Sequence, residues 1–233
     1  VEQLVAHMGL TVPLMQGLLV GIWLLAVGLL AEGVRRRTTA SAEITRKIVH
    51  IGAGNAILLA WWLHLPAWMG IAASVIFSGV ALLSYRFPIL PGINSVGRPS
   101  LGTFFYAVSI GVLIVAFWPR QQPEFAVLGI LTMTWGDGLA ALIGQAAGRH
   151  RYQIWGMEKS WEGSGTMGVV TFGVCASTLG AVHGFSGWVL GIAAIVAIAA
   201  TALEAFSRLG IDNLTVPIGS AVLAWGLIHW WVG

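Results

Sequence analysis

Trp135-Gly136-Asp137-Gly138-Leu139-Ala140-Ala141-Leu142-Ile143-Gly144 begins inside a long apolar run and sets an acid between two glycines. The run around it, residues 125–147, has the length a bilayer demands of a helix. An ionised side chain at that depth is expensive and marks a functional site by default. The flanking glycines let a backbone or a ligand come close and let the helix loosen locally. A polar loop follows, with Arg149, Arg151, Lys159 and Glu162 and glycines at 156, 163 and 165. A buried acid followed by a glycine-rich, lysine-containing loop suits a magnesium-bound polyphosphate: carboxylate for metal, ammonium and backbone N–H for phosphate. The same residue types also suit a helix with one paired aspartate and a solvated loop.

The rest of the chain agrees with a membrane setting. Of its 233 residues 57% are hydrophobic and only 9% charged, and the mean hydropathy is +0.84, which excludes a soluble domain. The 31 glycines suit close helix contacts and the twelve tryptophans suit the membrane interfaces. The net charge of +3 comes without a basic-aromatic patch, so no nucleic acid is expected as a partner. The single cysteine, Cys175, lies in an apolar run, excludes an intrachain disulfide and reads as a small core residue.

Eight apolar segments follow one another at about 12–31, 47–64, 66–84, 101–118, 125–147, 165–184, 186–206 and 215–232. The expectation is an all-α, polytopic helical bundle forming one domain over residues 1–233. The first segment does not read as a cleaved signal, because it lacks a small-residue cleavage site and is followed by Glu32 and Arg35-Arg36-Arg37. Of the twelve lysines and arginines, all but Arg120 fall in or beside the connections after segments one, three, five and seven. The positive-inside rule therefore places the N-terminus outside and these connections in the cytoplasm or stroma.

The candidate residues gather on that face. Glu43, Arg46, Lys47 and His50 open segment two; Arg98, Thr103 and Tyr106 open segment four; Glu204 closes segment seven; Asp212-Asn213 follow it. Asp137 lies about 15 Å, at the helical rise, from the same end of segment five. A water-filled cleft within the bundle is the economical expectation. Glu43, Lys47 and His50 share one helical face, although Lys47 also reads as a headgroup anchor and His50 as a satisfied core histidine. Thr103 and Tyr106, three apart, either bind a ligand or join two helices. Arg35–Arg37 read as topology charges, and the Trp61-Trp62 and Trp230-Trp231 pairs as interface belts. Asp137, Glu162, Glu204 and Asp212 balance Arg46, Lys47, Arg98 and Lys159, as a magnesium nucleotide or structural ion pairs would require. Zinc spacing, a G-x-S-x-G nucleophile elbow and a P-loop are all missing from the sequence.

Arg46-Lys47-x-x-His50, Gly102-Thr103-x-x-Tyr106, Gly136-Asp137-Gly138, Lys159-Ser160-Trp161-Glu162-Gly163-Ser164 and Asp212-Asn213-Leu214-x-x-Pro217 together resemble the polyprenol and phytol kinase family. The likeness spans residues 43–220, and the short form is most similar to the phytol kinases. It is similar, more distantly, to phosphatidate cytidylyltransferases. The resemblance implies transfer of the γ-phosphoryl group of CTP to an isoprenoid alcohol, with Mg²⁺ as cofactor. Phytol is the first candidate, with geranylgeraniol and farnesol as others, in the salvage route that feeds tocopherol synthesis. After Ser164 the only basic lysine or arginine is Arg208, which favours a neutral acceptor over the phosphorylated lipid of a cytidylyltransferase. A transporter would need polar gates on both faces, and the outer connections offer only Arg120 and Glu124.

Phosphoryl transfer asks for positioning and charge neutralisation. The expected metal ligands are Asp137 and Glu162, with Glu204 or Asp212 completing the shell. Arg46, Lys47 and Lys159 are assigned to the triphosphate, helped by Ser160, Gly163 and Ser164 at the backbone turn. Arg98, Thr103, Tyr106 and Asn213 are further nucleotide-site candidates. His50 and Glu204 are alternative bases for the hydroxyl, and the alcohol's tail is expected to stay in the lipid bilayer.

Overall fold

The computed structural model describes residues 2–38, 42–87 and 101–232. Within them the chain is helical almost throughout, since a backbone in lipid must satisfy its own hydrogen bonds. The helices are α1 (Glu2–Arg37), α2 (Ala42–Gly54), α3 (Ala56–Trp62), α4 (Ala67–Arg86), α5 (Gly102–Phe117), α6 (Pro123–Leu131), α7 (Gly138–Ala147), α8 (Trp161–His183), α9 (Gly187–Phe206) and α10 (Asp212–Val232). A π-helical turn, Thr132–Asp137, joins α6 to α7 without a break in the rod. Six rods are long and apolar enough to cross a membrane: Thr11–Arg37, Ala67–Arg86, Pro123–Ala147, Trp161–His183, Gly187–Phe206 and Asp212–Trp231.

Two of the eight expected segments fall short of that length. The run 47–64 is divided at Asn55 into α2 and α3. The run 101–118 forms the 16-residue α5, about 24 Å at the helical rise, against a hydrocarbon core of about 30 Å. Asn55 serves the fold with its side chain, accepting a 2.9 Å hydrogen bond from Trp135 Nε1. Arg98 lies outside the described residues.

The rod 123–147 is the centre of the bundle, with 67% of its most apolar window buried against 11% for α1. Val127 and Leu128 are fully enclosed, and at Gly129 α10 comes so close that a Cβ would stand 3.0 Å from that of Ala221. Lipid tails are as apolar as leucine, so such small-residue contacts hold the helices together. Leu18, Leu25 and Leu29 of α1 remain exposed toward the surroundings. α1 runs antiparallel to the α2–α3 pair, with Gln16 Nε2 donating to Leu63 O at 2.6 Å and Trp23 Nε1 to Gly52 O at 2.8 Å.

The polar loop after α7 departs from the sequence expectation. Arg151–Ile154 and Met157–Ser160 form an antiparallel hairpin, β1 and β2, with Ile154 paired to Met157. Trp155 and Gly156 make its two-residue turn at φ 49° and 77°, both in the left-handed region that such a hairpin needs. At the far end of the bundle Trp118 Nε1 donates to Leu65 O at 2.9 Å, and Trp62 and Trp230 stand exposed as expected of an interface belt. Trp61, by contrast, packs on the core.

Candidate active site

One end of the bundle carries nearly all the candidate groups. The first turns of α2, α5, α8 and α10 and the last turn of α9 meet there, beside the hairpin. Leu101 N donates to Leu209 O at 3.2 Å, joining the start of α5 to the connection between α9 and α10.

Asp137 closes the π turn and bonds Lys47 Nζ of α2 through its carboxylate; Lys47 also reaches the Asp137 carbonyl at 3.4 Å. The Lys47 side chain is only 3% exposed. His50, one turn on, places Nε2 3.8 Å from Asp137 Oδ2 and 3.5 Å from Met133 O. A π turn carries an extra residue and frees carbonyls from the regular ladder, a feature common at functional sites. The two glycines act as expected, but what approaches them is protein. A Cβ at Gly136 would stand 2.6 Å from Met167 Sδ of α8, and one at Gly138 2.7 Å from Ile51 Cγ1 of α2. Gly138 thus lets α2 bring Lys47 and His50 to the acid.

Tyr106 lies under His50, their rings 4.4 Å apart. Its hydroxyl is 3.0 Å from Thr134 Oγ1 and donates to His50 O at 3.3 Å, so Tyr106 joins α5 to α2 and to the π turn. Thr103 stands one turn earlier on α5, half-buried. Arg46 forks onto Glu43 at 2.6 and 3.0 Å and stays within electrostatic reach of Asp137 and Asp212.

The second centre is on the hairpin. Lys159 on β2 extends to the end of α9, where its Nζ meets Glu204 Oε1 at 2.5 Å and the Glu204 carbonyl. Glu204 Oε2 is buried and has no hydrogen-bond partner among the described residues. Ser160 caps α8, accepting from Gly163 N at 3.1 Å. Gly163 in turn packs on Gly144 of α7, with room for a Cβ only 3.5 Å from the Gly144 Cα. The Ser164 hydroxyl is 2.5 Å from that of Tyr152.

Asp212 links the two centres electrostatically, interacting with Asp137, Lys47 and Lys159. Asn213, buried beside it, donates to Asp212 Oδ1 from both backbone and side chain at 3.0 Å and so fixes the carboxyl. Glu162 stands apart. Its carboxylate is 2.7 Å from His150 Nδ1 at the base of the hairpin. Gly163 packs against Gly144 while Met167 packs against Gly136, which puts Glu162 about two helical turns from Asp137, roughly 10 Å. At this end of the bundle the acids and bases are paired with one another, Lys47 with Asp137 and Lys159 with Glu204. Sequence reasoning passed over Tyr152, Thr134 and Asn55; the alternating Tyr152, Ile154 and Met157 around Trp155-Gly156 was the signal for the hairpin that carries the first of them.

The chain is 55% identical over 215 residues to the phytol kinase of Synechocystis sp., covering 92% of each sequence. It is 27% identical over 219 residues to phytol kinase 1, chloroplastic, of Arabidopsis thaliana, covering 83% of this chain and 69% of the relative. It is also 27% identical over 214 residues to a probable phytol kinase 1, chloroplastic, of Oryza sativa subsp. japonica, covering 83% and 67%. No family model and no solved structure matches the chain.

Proposed function

Because the chain belongs to the phytol kinase family, we propose that it transfers the γ-phosphoryl group of CTP to the hydroxyl of an isoprenoid alcohol, phytol first. The observation that carries this reading is the meeting of a buried and a half-buried cation, Lys47 and Lys159, with three acids, Asp137, Asp212 and Glu204, at one end of the bundle. That end is the one bearing Arg35–Arg37, and the positive-inside rule makes it cytoplasmic or stromal, with the N-terminus outside.

The donor set fits magnesium held jointly with nucleotide. Among the described residues no three of His, Cys, Asp and Glu stand close enough to hold a metal by themselves. Magnesium in kinase sites takes one or two carboxylates and completes its shell with phosphate and water. Asp137 and Asp212 would hold it, and it would neutralise charge on the transferring phosphoryl group. Lys47, Lys159 and Arg46 bind the triphosphate, exchanging carboxylate partners for phosphate oxygens, and the N-terminal turn of α8 adds backbone N–H donors. Glu204 accepts the alcohol proton at its unpartnered Oε2. The alcohol oxygen then forms the new P–O bond as the γ-phosphorus bond to CDP breaks. His50, enclosed between Tyr106 and Asp137, orients the acid.

The test crosses CTP and ATP with phytol, geranylgeraniol, farnesol and diacylglycerol, using purified protein in one detergent. The expected products are CDP and the alcohol monophosphate, formed only with Mg²⁺ present. Release of pyrophosphate with transfer of CMP to a phosphorylated lipid would overturn the reading.

A further inference from the structure

A groove of about 790 Å³ runs between α8 and α9, roofed at one end by the hairpin. Its lining includes small residues on both helices, Gly165 and Gly168 on α8 toward the hairpin and Ala194 and Ala197 on α9 toward the other end. From Ala205 to Ala194 it follows α9 for about 16 Å at the helical rise. The polar lining lies at the hairpin end, in the Tyr152–Ser164 hydroxyl pair and Thr201; Glu204 precedes the lining residue Ala205 on α9 and sits behind the groove wall. Beyond Thr201 the lining is apolar, and the rim residues Val169 and Ile198 are exposed on the flank of the bundle.

We propose that this groove is the acceptor subsite, holding the hydrocarbon tail of the isoprenoid alcohol with its hydroxyl at the hairpin end, beside the Lys159–Glu204 pair. The inference rests on the kinase reading above and gives that reaction its second substrate site. A long apolar chain with one terminal hydroxyl needs one polar end and a dry channel, and this groove provides that distribution. The polar end is the one where Lys159 would hold phosphate, so hydroxyl and phosphoryl group meet at the Lys159–Glu204 pair. The missing side chain at Gly165, where a Cβ would meet nothing within 4 Å, leaves a bay for a methyl branch. The open flank admits the alcohol sideways from the bilayer, so the tail need never cross water. A neighbouring groove of about 490 Å³ between α9 and α10, lined by Ala199, Leu203 and Gly219 among others, is apolar throughout and offers nothing for a hydroxyl. Ala194 marks the deep end and therefore sets the chain length accepted.

The experiment compares kcat/KM for farnesol, geranylgeraniol and phytol across wild type, Ala194→Phe and Ala199→Phe, with thermal midpoints read with and without phytol. Farnesol is one isoprene unit shorter than the others. Ala194→Phe should lower activity on phytol and geranylgeraniol by about tenfold or more, as a filled hydrophobic pocket does, while farnesol changes by less than about threefold. It should also lose the midpoint rise that phytol gives the wild type. Ala199→Phe fills the neighbouring groove and should leave the length profile unchanged. Gly165→Leu, built into space with nothing within 4 Å of a Cβ, should depress all three alcohols at an unchanged midpoint without ligand. Equal loss on all alcohols in Ala194→Phe, no loss in it, or a length-dependent loss in Ala199→Phe would each overturn the assignment. A wild type inactive on every alcohol refutes the kinase reading itself, and the subsite with it.

Discussion

Neutralising Asp137 should unfold the protein more readily, and removing Lys47 as well should repair the damage. The Lys47 side chain is 3% exposed and that of Asp137 14%, and the two are in direct contact. Unit charges about 4 Å apart interact by about 4 kcal/mol at an effective dielectric constant near 20, and this pair is closer. Taking away one partner strands the other in a dry interior, at about 3–5 kcal/mol. Asp137→Asn and Lys47→Met should therefore each destabilise by about that amount. The double variant should lie within about 2 kcal/mol of wild type, giving a coupling of at least about 4 kcal/mol. From the sequence alone the opposite follows for Asp137→Asn, because neutralising a lone acid in the membrane relieves desolvation. The cycle is measured by denaturant or thermal unfolding of all four proteins in one micelle, with turnover on CTP and phytol read in parallel. Turnover of Asp137→Asn should fall by about three orders of magnitude, and the double variant should be well folded yet equally inactive. A coupling below about 1 kcal/mol would refute the ion pair as a stabilising element. A double variant that turns over at more than about a tenth of the wild-type rate would remove Asp137 from the mechanism.

Lys159→Ala should reduce kcat/KM for CTP by about 2–4 kcal/mol in free-energy terms, as loss of a charge-assisted phosphate contact does. Replacing Arg35, Arg36 and Arg37 together by Gln should leave CTP kinetics nearly intact, since Arg35 and Arg36 bond only Glu32 among the described residues. CTP saturation curves on both variants decide, and the reverse pattern would move the phosphate site from the hairpin to the arginines in the last turn of α1. Gly138→Val should destabilise by about 1–3 kcal/mol through overpacking against Ile51 and lower turnover by displacing Lys47 and His50. Gly21→Val, where a Cβ meets nothing within 4 Å, is the control for both readouts, and equal effects at the two glycines would contradict the packing role of Gly138.

Composition and the apolar runs were enough to read a helical membrane bundle, and charge asymmetry was enough to bring Lys47, Asp137, Lys159, Glu204 and Asp212 to one end. The pairings were out of reach, because Lys47 and Asp137 are 90 positions apart and no local spacing relates them. The loop 149–160 was read by composition, and composition cannot distinguish a phosphate loop from a hairpin; strand alternation could have done so at Tyr152, Ile154, Met157 and Lys159. The π turn has no residue code of its own, though the glycines flanking Asp137 mark where it ends. Asn55 is one polar residue in a long apolar segment, and its partner Trp135 is 80 positions away, out of reach of any local pattern. Glu162 belongs to the same motif as Lys159 in the sequence, but Lys159, on β2, reaches Glu204, while Glu162, in the first turn of α8, pairs with His150. Proximity in a motif therefore did not become proximity in space.

The separation between Lys47 and Asp137 also sets a schedule for synthesis. At about 5–20 residues per second, a chain exposes Lys47 roughly ten seconds before the acid that will neutralise it is made. During that interval α2 and α3 together are a short, interrupted segment with an unmatched ammonium at its head, poorly suited to integrate alone. The lysine can meanwhile keep its charge among the headgroups by stretching its methylene stem. The pair itself can form only after the fifth apolar segment has been made, so this end of the bundle cannot take its final arrangement before residue 137 is in place.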